Sequence, residues 1–182
     1  MLKGINPILT GDLLKVLRDM GHGNEIVIAD GNYAATADSV NRPPIWITST
    51  DVIEVIKAIL EVLPIDSGSD RRASRPVRCM TEYGDSLHTH PTYPVHDEFM
   101  RIVAGSLDLP AEEMVMNVGR DKFHEQARKA YAIVATLDPR HFACFILRKG
   151  VLLPDPTAEN SCEQKGSEGP PVPMLTIGQH LG

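Results

Sequence analysis

Two hydrophobic periods take turns along this chain, and their exchange restricts the folds open to it. Leu13, Leu14, Val16, Leu17 and Met20 recur at helical spacing after Thr10, a natural N-cap, and before Gly21, placed where a left-handed C-cap is wanted. A helix is predicted over about 11–20. The run Ile26–Ala29 then reads as a strand, too continuous to have a wet face and so buried on both. Asp51 opens a second helix with Glu54 in capping-box position. Val52, Ile53, Val55, Ile56, Ile59, Leu60 and Leu63 give that helix a wide apolar face, and Pro64 ends it. IWITST is a short apolar piece, PVRCM a short strand, and His96–Ala104 a third helix. Met114–Val118 is a strand, Asp121 caps a helix to about Ala130, and YAIVAT and FACFILRK are two strands joined by LDPRH. That last connection is short enough for an antiparallel pair. Interleaved strands and helices predict an α/β fold: a single-domain sheet of mixed strands with helices packed on it.

From Pro154 the composition shifts to Pro, Gly, Ser and Glu, which predicts a domain over 1–153 and a solvated tail over 154–182. The end of that tail, PMLTIGQHLG, has the makings of a short docking strand. Hydrophobic residues make up 42% of the 182 residues and charged ones 23%, a soluble globular balance. The net charge of −6 and the lack of a long basic run argue against nucleic acid. No apolar stretch nears the ~18 residues of a membrane span, and MLKGINPILTGD lacks the apolar core and cleavage site of a secretory leader. Cys79, Cys144 and Cys162 have no metal-like spacing and cannot all pair within one chain, so a cytoplasmic setting is expected.

Chemistry has three candidate locations. In MGHGNEIVIADGN, His22 lies between glycines that leave room for a small polar ligand, and imidazole exchanges protons near neutral pH. A plain loop histidine reads equally well. Asp30 ends the strand at a Gly-Asn turn, where α/β sheets bind ligands; a turn-capping role is the alternative. At ~3.3 Å per residue the eight intervening steps set His22 and Asp30 more than ~20 Å apart. Either the loops fold back strongly or a shared site combines the two from different subunits. Second, Arg120 stands where a strand passes to a helix, able to clamp hydroxyls or an anion, or simply to pair with Asp121 or Asp138. His124, a turn further on, reads as an exposed helix residue. Third, His88, His90 and His96 have the residue type for a metal, but no carboxylate or cysteine pattern completes a site, and a polar loop is the simpler reading. No P-loop, G-x-S-x-G or G-x-G-x-x-G sequence is present. Cys144, inside a buried apolar run, reads as packing rather than as a nucleophile.

The stretches 1–33 and 119–151 carry G-H-G-[ND]-E-I, an aspartate eight residues after the histidine, and a late R-x-x-F-x-E-x-A helix start. In this combination the chain resembles the fucose mutarotase and ribose pyranase family, the RbsD/FucU type. Arg120 places it nearer the fucose branch, since the ribose branch has histidine there. Residues 34–118 match in layout more than in detail. The resemblance implies an RbsD-like sheet, interconversion of sugar anomers without metal or organic cofactor, and a ring of subunits, commonly a decamer, with sugar sites at subunit contacts. It implies His22 as proton donor and Asp30 and Arg120 as groups holding sugar hydroxyls, with Phe142, Ala143 and Cys144 at further sugar-contact positions.

Those last three depart from the family, which shows Tyr-Ala-Asn or Tyr-Gly-Asn there. Losing a hydroxyl and an amide from a buried site weakens the hold on a polar sugar by ~1–3 kcal/mol each. A less hydroxylated substrate, low activity, or binding without turnover are the consequences left open. The 66–96 region is longer than is usual in the family, and the tail is an addition. Three functions remain to be weighed: a mutarotase acting on L-fucose or a related aldose, a sugar-binding relative without catalysis, and a metal enzyme built on His88, His90 and His96.

Overall fold

Leu13, Val16 and Leu17 are the buried face of α1 (Gly11–Asp19), which starts where Thr10 Oγ1 accepts the Leu13 N–H. The computed structural model describes residues 2–66, 75–82, 93–106 and 114–152. The loop after α1 reverses two residues later than expected. Gly23, with φ 80°, is the left-handed residue, and Gly21 is not. Asn24 is the reason: its Oδ1 accepts the Gly21 N–H at 2.8 Å while its own N–H reaches the Gly21 carbonyl at 3.1 Å. The reversal therefore falls at Gly23, the residue that adopts it without a steric cost.

After β1 (Glu25–Ala29) come a short α2 (Ala35–Asp38), a two-residue β2 (Ile45–Trp46) and α3 (Val52–Leu60). Asp51 caps α3 by accepting the Ile53 N–H, but the other half of the capping box is not made by Glu54. Ser49 Oγ accepts the Asp51 N–H instead. β3 (Val77–Thr81), α4 (Pro94–Ser106), β4 (Val115–Gly119), α5 (Arg120–Ala127), β5 (Ala132–Ala135) and β6 (Phe145–Arg148) complete the described elements. α5 begins directly from β4 at Arg120, with Gly119 as N-cap and no side-chain cap. The expected cap, Asp121, already lies inside the helix, because the strand passes into it with no intervening loop.

Among the described residues the strands form one sheet in the order β2-β5-β1-β6-β3-β4. β2, β5 and β1 are parallel, β3 and β4 are parallel, and β6 runs antiparallel to both β1 and β3. All strands but β6 therefore point the same way. The expected direct pairing of the last two strands does not occur: β1 lies between β5 and β6, with Ile28 opposite Val134 on one side and Phe145 on the other. The connection is long enough to step over β1 because β6 starts only at Phe145. Phe142, with φ 58°, breaks the extended path before it.

Alternate strand residues feed two cores. Ile26, Ile28, Val134, Val77, Phe145 and Leu147 pack with apolar residues of α1, α3 and α4. Val27, Ala29, Ile133, Met80, Val118 and Ile146 pack with Ala35, Phe123 and Ala127 of α2 and α5. Covering both faces is what a nearly unbroken apolar strand requires. Each fully buried Ile, Leu or Phe contributes about 1.5–3 kcal/mol of transfer free energy.

The fold lies in a unit of residues 1–151; of a second unit, 152–182, only Leu152 is described. The tail, its possible docking strand, Cys162, His88 and His90 lie outside the described residues. Among the described residues no helix is long and apolar enough to cross a membrane.

Candidate active site

Sheet polarity distributes the candidate residues. The C-terminal ends of β1 and β4 and the entry into β6 share one edge of the sheet. Asp30, Arg120 and the segment Phe142–Ala143–Cys144 are all brought there. His22 precedes β1 and lies at the opposite edge, where the Gly23 N–H bonds to the Lys149 carbonyl at the end of β6. The loops do not fold back to join His22 to Asp30 within one chain.

Asp30 is 5% exposed. Its Oδ1 accepts the Asn32 N–H at 2.9 Å, which fixes the turn after β1. Its Oδ2 accepts the Cys144 thiol at 3.3 Å, and its own N–H points at Cys144 Sγ at 3.5 Å. Burial first, and the neighbouring Asp30 charge second, push the Cys144 thiol well above its ordinary range. Cys144 is thus a neutral S–H donor that tethers the carboxylate. Ala143 is fully buried in the opposite core. Phe142 stacks on Tyr93 with ring centroids 4.7 Å apart, and its carbonyl accepts from His96 Nε2 at 2.9 Å. A non-glycine residue in the left-handed region is locally strained, and here a ring contact and a hydrogen bond hold it in place.

Arg120 extends from the first turn of α5 with 63% of its side chain exposed and only a loose approach, 3.8 Å, to Asp121. His22 is 59% exposed, with Nε2 3.5 Å from the Asp66 carboxylate. A cleft of about 430 Å³ opens beside its loop, lined by Gly23, Asn24, Glu25, Arg42, Lys129 and Tyr131 among others. There the Arg42 guanidinium lies 3.7 Å over the Tyr131 ring.

A cluster next to the Asp30 turn has almost no signature in the sequence. Tyr33, whose N–H bonds to the Asp30 carbonyl, stacks flat on His124 at 4.9 Å. Asp38, 3% exposed, accepts from Tyr33 Oη at 2.7 Å, from His124 Nδ1, and from Arg128 Nε at 3.0 Å. Burial alone raises the Asp38 carboxyl, but the hydrogen bonds from His124 and Tyr33 outweigh it and leave the group below the usual carboxylate range. Burial and the Asp38 hydrogen bond push the Tyr33 phenol up, so it remains a donor. His124 is therefore not the exposed helix residue expected. The helical spacing of Arg120 and His124 was the available signal; Asp38 is 86 residues away and gives none.

His96, the described member of the histidine trio, is buried on α4 with Nε2 occupied by the Phe142 carbonyl. Among the described residues no group of three or more His, Cys, Asp or Glu is assembled around a metal-sized position.

Known proteins share this sequence pattern and this fold. The sequence pattern of the RbsD / FucU transport protein family matches residues 3–152, and the chain belongs to that family. It is 34% identical over 159 residues to the fucose mutarotase of Danio rerio, covering 85% of this chain and 97% of that one. The crystal structure of the Streptococcus pneumoniae fucose mutarotase in complex with L-fucose superposes with a TM-score of 0.70 at 32% identity, covering 84% of this chain and all of that one. FucU from Bifidobacterium longum superposes with a TM-score of 0.72 at 32% identity, over 83% of this chain and 100% of that one.

Proposed function

We propose that the protein is a cofactor-free isomerase, a mutarotase that interconverts the anomers of L-fucose or a related aldose. The observation carrying this reading is the gathering of Asp30, Arg120 and residues 142–144 on one sheet edge in a chain similar to fucose mutarotases over nearly its whole fold. Opening a hemiacetal requires a proton delivered to the ring oxygen and one removed from the anomeric hydroxyl. A histidine near neutrality serves both directions at one pH. His22 is the donor, and Asp30 and Arg120 orient the ring through its hydroxyls. Phe142 contacts the sugar by its ring and Ala143 by its backbone alone, and Cys144 acts through Asp30.

Because His22 and Asp30 occupy opposite edges of the sheet, each site takes His22 from one subunit and Asp30 from another. A homo-oligomeric ring, a decamer in the reading by resemblance, provides that arrangement. The exposed Trp46 on edge strand β2 suits burial against a neighbouring subunit. The working domain is 1–153, with 154–182 an appended tail, and the setting is cytoplasmic.

Saturation-transfer NMR of anomer exchange tests the activity directly. Exchange of at least one aldose, L-fucose first, is expected to accelerate with protein, and His22→Ala is expected to abolish the acceleration. No acceleration across a panel of aldoses would contradict the proposal. A second reading, a monosaccharide-binding relative without turnover, is favoured by Phe142 and Cys144, which remove a hydroxyl and an amide. Calorimetric sugar binding without faster exchange would select it.

A further inference from the structure

The Asp30 edge contains a second histidine whose surroundings are arranged for proton exchange. His124 Nδ1 is held by Asp38, a carboxylate almost fully buried and kept ionised by three donors. That bond fixes the ring's orientation and, in the neutral imidazole, puts the hydrogen on Nδ1 and the lone pair on Nε2. Nε2 has no hydrogen-bond partner among the described residues, and the side chain remains 24% exposed. Tyr33 lies 9° from parallel to the ring and covers one face of the imidazole. The same Tyr33 begins from the turn that Asp30 closes, and Arg120 stands one helical turn before His124 on the same face of α5. A purely structural role does not account for the whole arrangement, because Arg128 and Tyr33 already provide Asp38 with two donors.

We propose that His124, oriented by Asp38, is the group that exchanges the proton of the anomeric hydroxyl, opposite the donor His22 of another subunit. The inference rests on the mutarotase reading. In ring opening, His124 Nε2 takes the proton of the anomeric hydroxyl as the C1–O5 bond breaks and C1=O forms. O5 takes a proton from His22. After rotation about C1–C2 the ring closes on the other face of C1: O1 regains its proton from His124, and O5 returns one to His22. Each histidine ends as it began, and no proton is drawn from solvent. Asp38 touches no sugar and is a positioning residue.

His124→Asn tests this, because its amide N–H replaces the Nδ1–H bond to Asp38 while Nε2 is removed. Anomer exchange is measured against sugar concentration for wild type and variant. The expected result is a fall of at least thirtyfold in kcat with KM within about threefold of wild type, since the loss concerns the transition state rather than ground-state binding. A wild-type kcat in the variant, or a loss confined to KM, would overturn the assignment while leaving the mutarotase reading intact. Should the wild-type protein accelerate no aldose, the reading itself falls and the inference with it. If thermal unfolding shows that His124→Asn does not fold, the same two measurements on His124→Gln decide by the same criteria.

Discussion

Asp30 and Cys144 show how one residue can reshape a polar site without opening it. The thiol fills the space beside a buried carboxylate and donates one weak hydrogen bond. An asparagine amide would donate more strongly and offer a second N–H to a ligand. At position 142 a phenylalanine stacks on Tyr93 where a tyrosine would add a hydroxyl. If these two positions set the sugar preference, Phe142→Tyr combined with Cys144→Asn is expected to tighten L-fucose. Restoring one contact of ~1 kcal/mol lowers KM about fivefold, and two lower it further. Anomer-exchange kinetics of the double variant measures it; an unchanged or higher KM for L-fucose would show that the two substitutions do not govern selection. Most residues at this edge could be singled out from the sequence because Asp30 and Arg120 follow recognisable strands. The Tyr33–Asp38–His124 cluster could not, since its defining contact joins a short helix to α5 across 86 residues and leaves no periodic trace.

At the scale of elements, α4 is secured to the segment before β6 by His96. Its ring meets Phe145 edge-on, and its Nε2 holds the strained Phe142 carbonyl. Burial, opposed by that backbone hydrogen bond, lowers the His96 pKa from the ordinary 6.5. Between the folded value and 6.5 the unfolded chain binds more protons than the native one, so stability rises with pH across that window. His96 therefore stabilises the fold above about pH 6.5, and that contribution is lost as pH falls through the folded value. The lowered carboxyls Asp38 and Asp138 follow the same sign but titrate in the more acidic carboxylate range, separate from this window. Thermal unfolding between pH 7.5 and 5.5 is expected to show a Tm that declines on acidification. In His96→Gln, which keeps an N–H donor but does not titrate, the decline is expected to be shallower. Equal slopes in the two proteins would contradict it. The helix itself was legible from its apolar spacing. Its docking on a left-handed phenylalanine was not, because positive φ at a bulky residue is imposed by tertiary contacts rather than by local preference.

For the whole molecule, sheet polarity matters more than any single contact. The α/β class followed from the exchange of hydrophobic periods, and the ~20 Å estimate from strand rise already separated His22 from Asp30. The order of strands was less legible. A short connection suggested β5 beside β6, but the sheet inserts β1 between them, and pairing order is decided by burial on both faces rather than by loop length. The consequence is functional: among the described strands β6 alone is reversed, so its entry brings residues 142–144 to the edge where Asp30 and Arg120 end their own strands. His22 is left at the other edge, beside its own cleft.

The claim that each sugar site joins two subunits is tested by mixing two variants, His22→Ala and Asp30→Asn, each expected to be inactive alone. Co-expressed in equal amounts and assembled at random, they place an intact His22 opposite an intact Asp30 in about a quarter of the sites. Anomer exchange is expected to recover to about that fraction of the wild-type rate. Hybrid assemblies of wild-type size that remain as inactive as either parent would contradict a site shared between subunits.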